Sequence, residues 1–354
     1  AQAGLMSMEP ATGDIKAWVG GIDWKHFQYD HVKQGKRQVG STFKPFVYAT
    51  AIMNLGMTPC STVSNATYTK GDWVVEGNGG NLTLRDALAH SKNPVAVRLI
   101  ESVSPKKVIQ LARDLGVTEE MPNEYAIALG SSDITIYEML GAYSSFANFG
   151  NYIKPEMVWR IEDANGRVIK EVKNETKEVM NEMYAYTMID LMKGVTRFGT
   201  ASGELRRMGI PETVEIAGKT GTTQNNSDGW FMGITPNLAT GVWVGWEDRA
   251  THFFNTGEGQ GAKMALPIWG IFMKKVWADK ELGITPDDKF AKPSNWTGDC
   301  ADLQGLGGYG DDGGLQTIDQ IKNPKPKDNQ PKNNKPKEEN LNENLNKDEV
   351  DFNQ

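Results

Sequence analysis

At 354 residues the chain has room for one large unit or two modest ones, and 39% hydrophobic with 23% charged residues is the balance of a globular protein with a substantial core. A net charge of -7 argues against a nucleic-acid partner, because phosphate recognition needs a concentrated basic surface. The scattered histidines (His26, His31, His90, His252) and the two cysteines show no metal-ligand spacing, so no metal and no other cofactor is expected, and a Ser-His-Asp relay is hard to assemble.

Residues 3–9 and 15–19 read as two strands joined by the turn Pro10-Ala-Thr-Gly-Asp14. A chain that starts inside a strand reads as a piece of something longer. A polar loop follows to Gly40. From Ser41 the apolar residues Phe43, Phe46, Val47, Ala51 and Ile52 recur near a helical period, which Gly56 closes. Residues 57–81 read as irregular, with aromatics and the cluster Gly77-Asn-Gly-Gly80. Helices are predicted at 82–90, 94–103, 105–115, 134–148 and 181–195, and a final one near 265–279. Residues 152–174 read as a hairpin with Asp163-Ala-Asn-Gly166 at its tip. Strand-like runs fall at 214–223, 229–235 and 239–246. Strands at both ends with helices between them predict an α+β fold: one antiparallel sheet with an inserted helical lobe. The sheet lobe is placed at about 1–40 and 150–290 and the helical lobe at about 41–149. Residues 291–320 read as a Gly/Asp-rich loop without calcium-loop spacing. From 321 to 354 the Lys/Pro/Asn/Glu composition predicts a disordered tail. No apolar run reaches the roughly 18 residues that a membrane-spanning helix needs. Cys60 and Cys300 leave one bridge and two free thiols equally open.

Three short elements carry the chemistry: Ser41-Thr-Phe-Lys44, Ser91-Lys-Asn93 and Lys219-Thr-Gly-Thr-Thr223. One Ser-x-x-Lys is expected by chance in roughly every chain of this length. A second one, Ser104-Pro-Lys-Lys107, reads as a helix N-cap. Ser41 differs in its setting. On a helix, residues three apart share a face, so the Lys44 amine can reach the Ser41 hydroxyl. A serine hydroxyl needs an adjacent base, and a lysine serves only when burial or a neighbouring cation lowers its pKa. Phe43 and Phe46 supply shielding and Lys219 the cation. Ser91 and Asn93 lie between two predicted helices, where a proton relay with a substrate-amide contact and a plain capping loop both fit. In the third element Gly221 leaves room for a substrate backbone beside the strand. Lys219, Thr220 and Thr222 suit a carboxylate, although a period of two does not say whether Lys219 or Thr220 points inward. Asp228 reads as a turn residue.

The order of the three motifs, together with Gly40-Ser-Thr-Phe-Lys-Pro-Phe46, Asp228-Gly-Trp-Phe231 and Gly241-Val-Trp-Val-Gly245, resembles class A penicillin-binding proteins over residues 3–280. The resemblance implies a penicillin-binding transpeptidase fold and a serine D,D-transpeptidase that cross-links peptidoglycan stem peptides and is acylated by β-lactams. It implies Ser41 as nucleophile, Lys44 as base, Ser91 as proton relay and Lys219 as the residue ordering the charge network. Asn93, Thr220, Gly221, Thr222 and Thr223 would contact substrate, and the N–H groups of Ser41 and Thr222 would form the oxyanion hole. It also implies an extracytoplasmic site of action and a membrane-anchored parent protein. A serine β-lactamase, a D,D-carboxypeptidase and a penicillin sensor share the motifs. A β-lactamase needs a carboxylate-activated water, and Glu182 and Glu204 both sit in polar helical patterns without the expected Glu-x-x-x-Asn loop.

Overall fold

The structure, a computed structural model, describes residues 1–296. Strands β1 (Gln2–Met8) and β2 (Ile15–Val19) form the expected first hairpin. The loop that follows is interrupted by the two-residue β3 (Arg37–Gln38) and ends in a 3-10 turn, Gly40–Phe43, that feeds α1 (Lys44–Leu55). Helix α1 is buried from Lys44 to Ile52, as befits a helix apolar all round, and Gly56 caps it at φ 63°.

Residues 57–81 are not irregular. They hold β4 (Thr62–Lys70) and most of β5 (Trp73–Thr83), an antiparallel hairpin whose register slips twice. The glycines that read as punctuation are absorbed into the strand, two of them, Gly79 and Gly80, at positive φ. Helices α2 (Leu84–Ala89) and α3 (Asn93–Val103) flank the Ser91 loop, and α4 (Pro105–Asp114) follows. Ser104 stands at the N-cap of α4 but makes no side-chain cap hydrogen bond, and its φ of 79° marks a sharp corner instead.

After β6 (Asp133–Ile134), which pairs with β3, comes α5 (Ile136–Ala147). The expected hairpin at 152–174 is present as β8 (Arg160–Glu162) and β9 (Val168–Glu171), with Gly166 at φ 79° in its turn. It is set between β7 (Asn151–Ile153) and β10 (Thr176–Glu178), which pair with each other. Helices α6 (Glu182–Arg197) and α7 (Ser202–Arg207) lead to β11 (Ala217–Thr222), β12 (Asp228–Ile234) and β13 (Ala239–Gly245). The short α8 (Thr256–Gly259) precedes α9 (Gly261–Ala278), which starts four residues earlier than the sequence suggests and carries Pro267 inside it.

The main sheet has the order β11-β12-β13-β1-β2 and is antiparallel throughout. Alternation along β12 sends Phe231 toward Trp269 of α9 and Met232 to the opposite face, where Ile136 of α5 packs near Gly241. The sheet is thus covered by a helix on each face, the α+β architecture expected. Its first strand in spatial order, β11, has no further strand on its outer edge among the described residues. Cys60 is disulfide-bonded. Cys300, most of the Gly/Asp-rich segment and the predicted disordered tail lie outside the described residues.

Candidate active site

Ser41 lies in the 3-10 turn rather than in the helix proper, and Lys44 is the first residue of α1. The turn is wedged between other backbones. Gly40 has φ 53°, and a Cβ there would lie 2.7 Å from the Thr222 carbonyl oxygen. Gly40 N donates to Gly130 O at 3.1 Å, and the buried Tyr143 hydroxyl donates to Thr42 O at 2.5 Å. The Ser41 turn therefore sits directly beside the end of β11.

Lys44 is fully buried. Its Nζ donates to Ser91 O at 2.5 Å, to Asn93 Oδ1 at 2.6 Å and to Ser91 Oγ at 3.1 Å. Lys219, equally buried, reaches the same Ser91 Oγ at 2.9 Å and the Thr220 carbonyl at 2.9 Å. Burial disfavours the charged form of an amine. It holds Lys44 well below the ordinary lysine range, and the nearby cations of Lys219 and Lys92 push it further down. Burial also pushes Lys219 down to about 7. Phe43 and Phe46 are buried edge-to-face against each other at 5.2 Å.

Ser91 has φ 54°, a conformation that costs a non-glycine residue about 1–3 kcal/mol and tends to be kept where a side chain must be aimed. The loop is fastened by Ser91 N to Leu88 O and Lys92 N to Ala87 O. Asn93 starts α3 and spends its amide oxygen on Lys44, which leaves the amide N–H groups for another partner.

Lys44, Ser91, Asn93 and Lys219 are thus joined in one hydrogen-bonded cluster, with Ser41 adjacent through the turn. No hydrogen bond among the described residues joins Lys44 to the Ser41 hydroxyl, and the Lys44 amine is spent on Ser91 and Asn93. Thr220 faces Thr200, the two hydroxyl oxygens 2.6 Å apart. Thr222 Oγ1 accepts from Gly261 N at 3.1 Å. Thr223 turns away, to Ser227 Oγ and Asp228 Oδ2, both at 3.0 Å. The space beside the Cα of Gly221 is not left for a substrate. A Cβ there would meet Thr42 Cγ2 at 2.8 Å and Val39 O at 2.9 Å, so this glycine admits the Ser41 turn.

Asp228 does more than shape a turn. Fully buried, it accepts from Arg37 Nε at 2.7 Å, Trp243 Nε1 at 2.9 Å and Ser227 Oγ at 2.9 Å. Neither Arg37 nor Thr200 carries a sequence signal of its own. Glu204 is buried and paired with Lys263 and Arg207, and Glu182 is exposed in the first turn of α6.

The penicillin-binding protein transpeptidase domain profile matches residues 3–252. The chain belongs to this family. The transpeptidase-family chain is 35% identical over 300 residues to penicillin-binding protein 1A of Aquifex aeolicus, covering 81% of this chain and 40% of that protein. It is 34% identical over 297 residues to penicillin-binding protein 1A of Neisseria meningitidis, covering 79% of this chain and 36% of that protein. It therefore spans well under half the length of these curated relatives. The crystal structure of penicillin-binding protein 1A from Haemophilus influenzae superposes with a TM-score of 0.74 at 25% identity, over 83% of this chain and 50% of that one. PonA1 of Mycobacterium tuberculosis, solved in complex with penicillin V, superposes at 0.70 and 25% identity, over 82% and 81%. Among the described residues no helix is long and apolar enough to cross a membrane.

Proposed function

We propose that this chain is a serine D,D-transpeptidase acting through an acyl-enzyme on Ser41, with residues 1–290 as its catalytic unit. The observation that carries the reading is the convergence of two buried lysines, Lys44 and Lys219, on Ser91 Oγ at 3.1 and 2.9 Å beside the Ser41 turn. Structural ion pairs put lysines against carboxylates. Here the acceptors are neutral, which keeps an amine available as a base.

In this reading the Ser41 oxygen attacks the carbonyl carbon of the penultimate D-alanine of a peptidoglycan stem peptide. Its proton passes to the Lys44 amine once a Ser41 rotation brings the two into contact. The N–H groups of Ser41 and Thr222 hold the tetrahedral oxyanion. The C–N bond then breaks. The leaving D-alanine nitrogen takes a proton through Ser91, and an ester on Ser41 remains. The amine of a second stem peptide attacks that ester, its proton returns to the lysine pair, and Ser41 is released as the cross-link forms. Asn93 N–H groups bind a substrate carbonyl, and Thr220 with Thr222 hold the terminal carboxylate. The outer edge of β11 suits an extended peptide adding as a strand. Thr223 supports the site through Asp228.

β-Lactams present a strained amide to the same serine, in keeping with the penicillin V complex of PonA1. The reading places the chain outside the cytoplasmic membrane, within a membrane-anchored parent. The test is the intact mass of the chain over time with a penicillin, run beside Ser41→Ala. A lasting one-drug adduct that Ser41→Ala abolishes is expected. Rapid turnover without an adduct would turn the reading to a hydrolase, and no reaction at all would overturn it.

A further inference from the structure

Residues 198–201, between α6 and α7, close one end of the cleft, and no motif marks them. They are fastened to the Ser91 side by backbone and by the Phe198 ring, which lies 6.1 Å from that of His90. Thr200 N donates to Ala89 O at 3.0 Å, and a Cβ on Gly199 would fall 2.2 Å from that same oxygen. Against β11 the contact is made by side chains, the 2.6 Å pair of Thr200 Oγ1 and Thr220 Oγ1. Neither hydroxyl has another side-chain hydrogen bond among the described residues. The loop's anchorage thus does not depend on the Thr200 hydroxyl.

Two hydroxyls in contact own two protons and use one between them. Whichever donates within the pair, the other keeps a proton to direct outward, and accepting the first bond makes it a stronger donor. The pair lies one carbonyl away from Lys219, whose Nζ donates to Thr220 O, so an anion bound by the outward proton gains further whenever that amine is protonated. That combination selects an anion.

We propose that Thr200 is a specificity residue for the reaction above: with Thr220 it forms a two-hydroxyl relay that holds the carboxylate of the substrate's leaving group. The inference rests on the acyl-enzyme reading and extends it to a residue outside the three motifs. It makes Thr220 dependent on a partner contributed by the helical segment that precedes the strand.

The test uses two thioesters of the same N-acyl-D-alanine, one with thioglycolate as leaving group and one with uncharged ethanethiol. Acylation of Ser41 forms the serine ester and releases the thiol in both cases, so thiol release reports the rate. Thr200→Val removes the hydroxyl at nearly constant shape, and Thr200→Ser keeps it. Losing a hydrogen bond to a charged group predicts a fall of roughly 10- to 100-fold with the carboxylated thioester in Thr200→Val. The uncharged thioester should react at the parent rate, and Thr200→Ser should restore the first rate. An equal fall on both thioesters would make Thr200 a structural residue and overturn the proposal. So would the absence of any fall. Thiol release by the parent chain that survives Ser41→Ala would instead overturn the acyl-enzyme reading, and this inference with it.

Discussion

Lys219 donates from Nζ to Ser91 Oγ at 2.9 Å across 128 residues of sequence. The bond ties the edge strand of the main sheet to the loop between α2 and α3. Because Lys44 reaches the same oxygen, the hydroxyl sits between two amines, neither of which is paired with a carboxylate among the described residues. A proton arriving on either lysine changes the field at the other.

The rate of acylation should therefore depend on pH near neutrality. Both amines are held below the ordinary lysine range, Lys219 at about 7. A base must be unprotonated, so the second-order rate constant with a penicillin is expected to rise about tenfold per pH unit on the acid side and then level off. Stopped-flow acylation between about pH 5.5 and 8.5 measures it. A flat profile would exclude a role in acylation for a Lys219 that titrates near 7.

Stability should follow the same group with a definite sign. A lysine whose folded pKa lies below its unfolded value binds fewer protons in the native state, so unfolding free energy rises with pH between the two values. For Lys219 that window runs from about 7 to 10.5, and below it the contribution is flat. Urea unfolding at about pH 7 and pH 9.5 should show a gain that Lys219→Met reduces by up to about 3 kcal/mol. An identical gain in parent and variant would contradict the buried, depressed amine.

Arg37, part-buried and four residues ahead of Ser41 in the chain, pairs at 2.7 Å with the fully buried Asp228. Asp228→Ala leaves the guanidinium uncompensated and should cost about 3–5 kcal/mol in urea unfolding. Pairing it with Arg37→Met should recover part of that loss, since the isolated charge is then gone. A cost below about 1 kcal/mol would place the pair among screened surface contacts.

Gly130 has φ 74°, and a Cβ there would lie 1.9 Å from Gly40 O, closer than any real contact. Gly130→Ala should displace the Ser41 turn and slow acylation by at least about tenfold, equivalent to about 1.4 kcal/mol of transition-state stabilisation. Gly203, in α7 with open space around it, is the matched control. Gly203→Ala should leave acylation unchanged and stabilise by up to about 1 kcal/mol. Equal effects of the two on the rate would show that the Gly40 contact is unimportant.

The sequence was legible where chemistry and period coincide. Ser41, Lys44, Ser91, Asn93 and Lys219 stand out because reactive side chains recur at short fixed spacings, and the structure joins the last four in one hydrogen-bonded cluster. The long helices show because their apolar residues repeat. The hairpin at residues 62–83 was hidden by Gly77, Gly79 and Gly80, which read as breaks but serve here as irregular strand positions. Thr200 and Arg37 were invisible for another reason: each acquires its role from a partner distant in sequence, Thr220 and Asp228, and a single hydroxyl or guanidinium has no signature by itself. Gly221 was noticed for the wrong neighbour, since the space it frees is taken by Thr42 and Val39 rather than by a ligand.

The contacts at Gly40, Gly130, Gly221 and Gly261 have a consequence for how such a site can change. At each of them one main chain rests on another, Gly130 on Gly40, Gly40 on Thr222 and Gly261 on Gly221. Between the Ser41 turn and the strand the Thr42 methyl, which lies against Gly221, is the side chain at these contacts, and the others are backbone on backbone. Their spacing is consequently a unit that is inherited whole or lost, whereas the cleft walls at residues 198–201 and along the 62–83 hairpin are built of side chains and loops. Diversification of what this site accepts has its raw material there, at the periphery, while the Ser41 turn is held against the strand by close backbone contacts and one methyl.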